Sequence, residues 1–275
     1  MRCSKRSTPG GRRGNAPLAI PAEIANRRDA LFVANHSGGK DSQALLIHLA
    51  EAVPHRQILV VHASLGDFEW PGALELARDQ AQDLGLPFVV ARARKTFFDM
   101  VEHRFATRPD APSFPSAAQR QCTSDLKRGP LEREIRRFAR TGSWRAVVNC
   151  TGIRAEESPR RARLESFKMN APNSIAGRDW FDWAPIHPLS TEEVFATIRD
   201  AGQTPHPAYA AGNQRLSCIF CIMASRNDLA HGRQAQPRLF ARLVELERRT
   251  GYAMHMSRKP LAQLVGTFHG DYAHA

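Results

Sequence analysis

Apolar residues recur in short unbroken runs separated by stretches with helical spacing. LFVAN (31–35), QILVVHA (57–63), PFVVA (87–91) and RAVVNCT (145–151) have the length and β-branched content of strands buried on both faces. Between them, residues 42–52 and 72–84 repeat apolar side chains every three or four positions and predict helices, as do 21–29 and a segment over 131–142 that ends at Gly142. WFDWAPI (180–186) predicts a fifth strand. After it, STEEVFATIRDAG opens with a capping box, Ser190 with Glu193, and PRLFARLVELERRTG (237–251) predicts a further helix. Strands alternating with helices predict an α/β fold, a three-layer α/β/α sandwich around a mostly parallel sheet, followed by a helical C-terminal region. RFATRPDAPSFPSAAQRQ (104–121) follows neither period and reads as a long loop or lid beside a site.

Charge narrows the choice of partner. Lysine and arginine number 39 against 27 acids, a formal charge of +12, which favours nucleotides, sulfate-like groups or nucleic acid. KRGPLEREIRRFAR sets Lys127, Arg133, Arg136, Arg137 and Arg140 on or near one helix, a stripe suited to DNA or tRNA; Glu132 and Glu134 give the same residues a purely structural reading. No apolar run reaches the roughly 18 residues of a membrane span, so no membrane partner is expected. Residues 1–20 read as a basic disordered tail without the apolar segment of a secretory signal, and the expected location is cytoplasmic.

The candidate chemistry begins where the first strand ends. Ser37, Gly38 and Gly39 precede a helix, so backbone amides and a helix N-terminus meet at the carboxyl edge of the sheet, a ready anion site. A Walker A loop is excluded: Ala34 stands where its first glycine belongs, and Asp41 where a hydroxyl should bind magnesium. The Rossmann glycine spacing is absent as well. By residue type, Gly38 and Gly39 admit phosphate oxygens to the backbone, Lys40 supplies a point charge, Ser37 and Ser42 offer hydroxyls, and Asp41 can position magnesium or brace the loop.

SGGKDS (37–42) resembles the pyrophosphate-binding PP-loop of the adenine nucleotide α-hydrolase superfamily, the ATP pyrophosphatases and their sulfonucleotide-reductase relatives. Further segments are similar to the PAPS-reductase-like branch. GDFEWP carries Asp67, Glu69 and Pro71 where that branch has acids and a proline. TGIRAEESPRRAR carries Gly152, Arg154 and Arg161 where it binds phosphate or sulfate. Phe195, HPAY (206–209) and CIFC (218–221) follow in the branch's order. The resemblance implies a Rossmann-like PP-loop domain over 21–189, with a helical region over 190–275 packed on it. It implies adenine nucleotide binding, ATP with Mg2+ or PAPS/APS, by Ser37, Gly38, Gly39, Lys40, Asp41, Ser42, Asp67, Glu69, Gly152, Arg154 and Arg161. His36, His187 and His206 are expected to be structural.

Five cysteines without an export signal suit metal or redox use better than disulfides. In the iron-sulfur members of the family a Cys-Cys pair and a later C-x-x-C hold a cluster; here Cys122 is matched, but Thr123 replaces its neighbour. Cys122, Cys218 and Cys221 therefore resemble the three-thiolate set of tRNA-thiolating PP-loop enzymes, implying a [4Fe-4S] cluster, with structural Zn2+ or a redox dithiol as the alternatives. Cys150, on a strand, is expected to be a buried thiol, and Cys3 lies in the tail. No cysteine follows Cys221 to serve as the attacking thiol of a thioredoxin-dependent reductase, whereas the loop keeps every residue suited to ATP. The resemblance thus implies ATP pyrophosphatase or adenylation chemistry coupled to sulfur transfer, with Lys40, Asp41, Arg154 and Cys122 as catalytic candidates and a sulfur donor protein as a partner. Sulfonucleotide reduction and a non-catalytic binding role are the alternatives.

Overall fold

A computed structural model describes residues 19–216 and 218–266; Cys3 and nearly all of the expected basic tail lie outside the described residues. Six strands form one sheet: β1 (Ala30–Asn35), β2 (Ile58–Ser64), β3 (Phe88–Arg92), β4 (Ala146–Cys150), β5 (Phe167–Met169) and β6 (Asp179–Trp183). Their order is β3-β2-β1-β4-β6-β5, and every pair is parallel except β5 with β6. The chain moves outward from β1 to β3 and then returns to the other side of β1 with β4. The order therefore reverses between β1 and β4, and open parallel sheets bind ligands outside the carboxyl ends of strands at such a point.

The helices are α1 (Ala22–Ala25), α2 (Lys40–Ala52), α3 (Ala73–Asp83), α4 (Phe97–Thr107), α5 (Gln121–Thr123) and α6 (Gly129–Ala139). They continue with α7 (Pro159–Ala162), α8 (Thr191–Asp200), α9 (Arg226–Ala235), α10 (Pro237–Thr250) and α11 (Leu261–Val265). Strand β1 is apolar at nearly every position, and successive strand side chains face opposite sides, so it needs cover on both faces. Ala30, Phe32 and Ala34 join a core with Leu45 and Leu49 of α2 and Val194 and Ile198 of α8. Leu31 and Val33 join the opposite core with Ile135 and Ala139 of α6. A third cluster unites Phe97, Phe98 and Val101 of α4 with Leu229, Leu243 and Leu261 of the last three helices and with Phe68 and Trp70 from the turn after β2.

Three features depart from the sequence expectation. The apolar spacing after Thr96 forms α4, so the irregular stretch starts at Arg108 rather than at residue 104; the Thr96 and Asp99 side chains cap α4 reciprocally. β5 is a sixth strand, only three residues long, too short to show an alternation. The helix expected from residue 131 begins instead at Gln121 and runs unbroken to Ala139. It passes Pro130 through a π-helical turn over Ser124–Arg128, in which the Gly129 amide donates to the Ser124 carbonyl five residues back. A proline inside a regular helix lacks its amide and clashes with the carbonyl four residues earlier, and the wider turn relieves both faults. No helix among the described residues is long and apolar enough to cross a membrane.

Candidate functional site

Strand β1 delivers Ser37–Gly38–Gly39 to the reversal point, and α2 starts at Lys40. Gly38 has φ +75, and a side-chain carbon built on it would lie 2.5 Å from the Ala73 carbonyl oxygen, so the loop closes on the start of α3 only because this residue is glycine. Its amide donates to Nδ1 of His36 at 3.0 Å, while His36 Nε2 donates to Gln80 at 2.6 Å. Burial pushes the His36 pKa from the ordinary 6.5 down to about 4, which keeps Nδ1 free to accept. Ser42 turns inward: its hydroxyl donates to the Gly39 carbonyl and accepts the Ser37 amide. Helix start amides have no acceptor within the helix. The one at Lys40 donates to the Tyr209 hydroxyl at 3.0 Å, which closes the HPAY segment over the loop.

Charge is organised around Asp41. Lys40 Nζ lies 3.0 Å from one carboxylate oxygen and Arg154 Nε 2.6 Å from the other. The Arg154 side chain is 3% exposed and also donates to Glu156, the Leu189 carbonyl and Thr191. Burial alone would lower the Arg154 pKa, but Asp41 and Glu156 outweigh it and hold it above its ordinary value. Arg154 thus braces the loop through Asp41. Gly152 explains how the two strand ends meet, because a side-chain carbon there would lie 3.0 Å from the Asp41 backbone. Arg161 pairs with Glu157, whose second oxygen lies 3.3 Å from Arg215. Four cations, Lys40, Arg154, Arg161 and Arg215, meet three carboxylates, Asp41, Glu156 and Glu157, leaving one positive charge for an anion.

The two acids after β2 part company. Asp67 is exposed in the turn, whereas Glu69 folds back to accept from His62 at 2.8 Å and from the Leu65 amide. Burial would raise the Glu69 pKa, yet the His62 imidazole and that amide offset it and keep the carboxyl below its usual range. Both ring nitrogens of His62 face acceptors, since Nδ1 lies 2.8 Å from the His36 carbonyl. His206 donates from Nε2 to the Pro71 carbonyl and His187 to the Arg161 carbonyl. These histidines fasten loops to one another.

Cys122, Cys218 and Cys221 border one cavity of 230 Å3 with Ser64, Gly66 and Lys127. Burial first, then the neighbouring Cys218, raise the Cys122 pKa. Lys127, carried by the π-helical turn, is held above its ordinary value chiefly by Cys218. Ser64 and Arg92 in its lining place the cavity at the carboxyl ends of β2 and β3, and β2 is the neighbour of β1, which carries the SGGKDS loop. Cys150 lies apart, fully buried in the sheet core, its pKa pushed well up by burial. Among the described residues no group of three or more His, Cys, Asp or Glu side chains is arranged to hold a metal ion.

The sequence matches the phosphoadenosine phosphosulfate reductase domain over residues 32–224, which include the loop, the Gly152 turn and all three cavity cysteines. The chain belongs to this family. It is 33% identical over 135 residues to an uncharacterized 37.8 kDa protein of Escherichia phage 186, covering 49% of this chain and 39% of that protein. It is 21% identical over 240 residues to an uncharacterized protein of Methanocaldococcus jannaschii, covering 84% and 51%. The matches thus span about two fifths and one half of these curated relatives. Similar solved structures include a phosphoadenylyl-sulfate (PAPS) reductase from Candida auris in phosphate complex, with TM-score 0.47, 11% identity and coverage of 71% of this chain and 83% of that one. A U34-tRNA thiolase from Methanococcus maripaludis with its [4Fe-4S] cluster gives TM-score 0.42, 10% identity and coverage of 90% and 83%.

Within this PAPS reductase domain, Ser37, Gly38, Gly39, Lys40, Asp41, Ser42, Gly152 and Arg154 gather at the reversal point, and Cys122, Cys218 and Cys221 gather beside it. Glu69 is engaged by His62 and the Leu65 amide, and Arg161 is paired with Glu157. Residue type alone does not single out Tyr209 and His36 as partners of the loop; the HPAY segment was the available signal for Tyr209.

Two outcomes follow for the loop. Gly38→Ala forces a positive φ and a backbone clash, costing about 1–3 kcal/mol or more, and should lower the urea midpoint accordingly; an unchanged midpoint would contradict the closure of the loop on α3. As pH falls, the unfolded chain protonates His36 near 6.5 and the folded one only near 4, so stability declines across that window by up to about 3 kcal/mol. Urea titrations of the wild type and His36→Asn at several pH values should show this decline flattened in the variant; equal slopes would contradict a neutral buried His36.

Proposed function

We propose that this protein cleaves ATP between the α and β phosphates, adenylates an oxygen of its substrate, and lets sulfur delivered at the Cys122–Cys218–Cys221 cavity displace AMP. The observation that carries this reading is that a complete SGGKDS loop after β1 and a three-cysteine cavity lined by Ser64 at the end of the neighbouring β2 lie at the same carboxyl edge of the sheet. In the first half-reaction the substrate oxygen attacks the α-phosphorus and pyrophosphate leaves. Lys40, backed by Asp41, and the loop amides stabilise the charge growing on the leaving group. Asp67, exposed at the end of β2, is the carboxylate open to the Mg2+ that accompanies ATP. AMP is then a good leaving group for a sulfur nucleophile.

Among the described residues the cavity is lined by three cysteines and by no histidine or carboxylate, a donor set that suits a thiolate-held iron-sulfur cluster, whereas a four-coordinate zinc ion would need a ligand from outside this lining. A [4Fe-4S] cluster on Cys122, Cys218 and Cys221, with one iron unclaimed by the protein, would supply the site that carries sulfide from a donor protein. A second reading, reduction of PAPS or APS, has the family match in its favour.

Protein purified without oxygen should contain iron and acid-labile sulfide, both lost in Cys122→Ala, and should release pyrophosphate from ATP in the presence of its substrate, with Lys40→Ala slower by about 100-fold or more. Sulfite release from PAPS or APS without pyrophosphate formation would install the reductase instead. Zinc in place of iron would remove the cluster.

A further inference from the structure

A second hollow, of 510 Å3, lies between α4 and the α5–α6 rod and shares Ala93, Lys95 and Leu126 with the cysteine cavity. Arg94, Lys95, Arg104, Arg108 and Arg133 line it, with Asp125 as the one carboxylate in its wall. Two of these cations are held in place: Arg104 Nε donates to the Pro112 carbonyl and Arg133 Nη2 to the Arg92 carbonyl, both at 2.8 Å. The Arg108–Asp110 pair, 66% and 71% exposed, is the weak kind that a stronger anion displaces. The outer face of α6 differs. There Arg136 and Arg137 have Glu132 and Glu134 within 4 Å, at 3.5 and 3.8 Å, so the basic stripe expected along this helix is largely compensated. In the groove Arg133 has Glu134 at 2.9 Å and Arg108 has Asp110, so its surplus charge rests on Arg94, Lys95 and Arg104 against Asp125.

The geometry points to a nucleic-acid single strand as the occupant of this groove, its phosphodiesters on the five cations and one unstacked base reaching past Lys95 and Leu126 into the cysteine cavity. A single phosphate uses one or two cations, whereas this hollow is lined by three cations outside the ion pairs and two more, Arg108 and Arg133, whose acidic partners a polyanion would replace, which suits several phosphates. The cavity beyond offers Phe68, Phe97 and Phe220, an apolar wall suited to a flat base removed from its stack. The meaning of the base's arrival at the cysteines rests on the sulfur-transfer reading; the binding itself does not.

The test is fluorescence anisotropy of labelled mixed-sequence oligonucleotides of about 15 residues, DNA and RNA separately, across a salt series. The proteins compared are the wild type, an Arg94→Gln/Arg108→Gln groove variant and an Arg199→Gln/Arg248→Gln variant with the same charge change at exposed sites elsewhere. The groove variant should bind at least about tenfold more weakly at low salt, and its plot of log affinity against log salt should be shallower by about 1.4, at about 0.7 for each phosphate no longer neutralised. The control should stay within about twofold of the wild type, and ATP binding should be equal in all three. No binding by the wild type, equal losses in both variants, or competition by poly-glutamate as effective as unlabelled oligonucleotide at matched charge would each overturn the assignment. Groove-dependent binding without pyrophosphate release would remove the adenylation reading and leave the groove standing; the DNA and RNA arms identify the sugar.

Discussion

The carboxyl edge of the sheet is organised by a buried guanidinium. Arg154 is almost fully enclosed, and an enclosed charge without partners costs several kcal/mol, so the chain must bring it carboxylates. Asp41, from the first turn of α2, and Glu156, two residues on from Arg154, meet that demand. Because Asp41 is held by Arg154 on one oxygen, its other oxygen fixes Lys40, and the loop lysine acquires a defined direction before any ligand arrives. Gly152 lets the β4 turn come close enough for this to happen, and Gly38 lets the loop rest on α3. The ends of β1 and β4, neighbours through the reversal of strand order, are thereby tied to one another.

The fold and the loop were legible because their signals are local. Strands buried on both faces appear as unbroken apolar runs, and SGGKDS carries its chemistry in six consecutive residues. Arg154 can be located in the sequence, but its role cannot. Its type suits phosphate, and only the fold shows that a residue 113 positions away claims it first. The same holds for Glu69, since its partner His62 sits across a turn whose shape is not written in spacing. β5 and the passage of a helix through Pro130 were hidden, the one by brevity and the other because a π-helical turn breaks the period by which helices are recognised. The capping pair Thr96 and Asp99 was a readable sign of α4, obscured by the proline-rich stretch that follows.

That π-helical turn also bears on the chemistry. It sets Lys127 against Cys218 in a cavity where burial, Cys218 and Cys221 together make the Cys122 thiol harder to ionise. A cation there lowers the cost of thiolate, which a metal-sulfur site and a sulfur nucleophile both require. Arg92 and Lys95 stand in the same cavity wall, so three cations, with Lys127, border the cysteines. Pro130, which forces the wide turn, stands in the wall of the adjoining basic groove. One helical irregularity therefore shapes both hollows, and the two meet where Lys95 and Leu126 are shared. The cysteine cavity thus lies between the carboxyl end of β2 and the basic groove, and a change at Lys95 or Leu126 would alter both hollows at once.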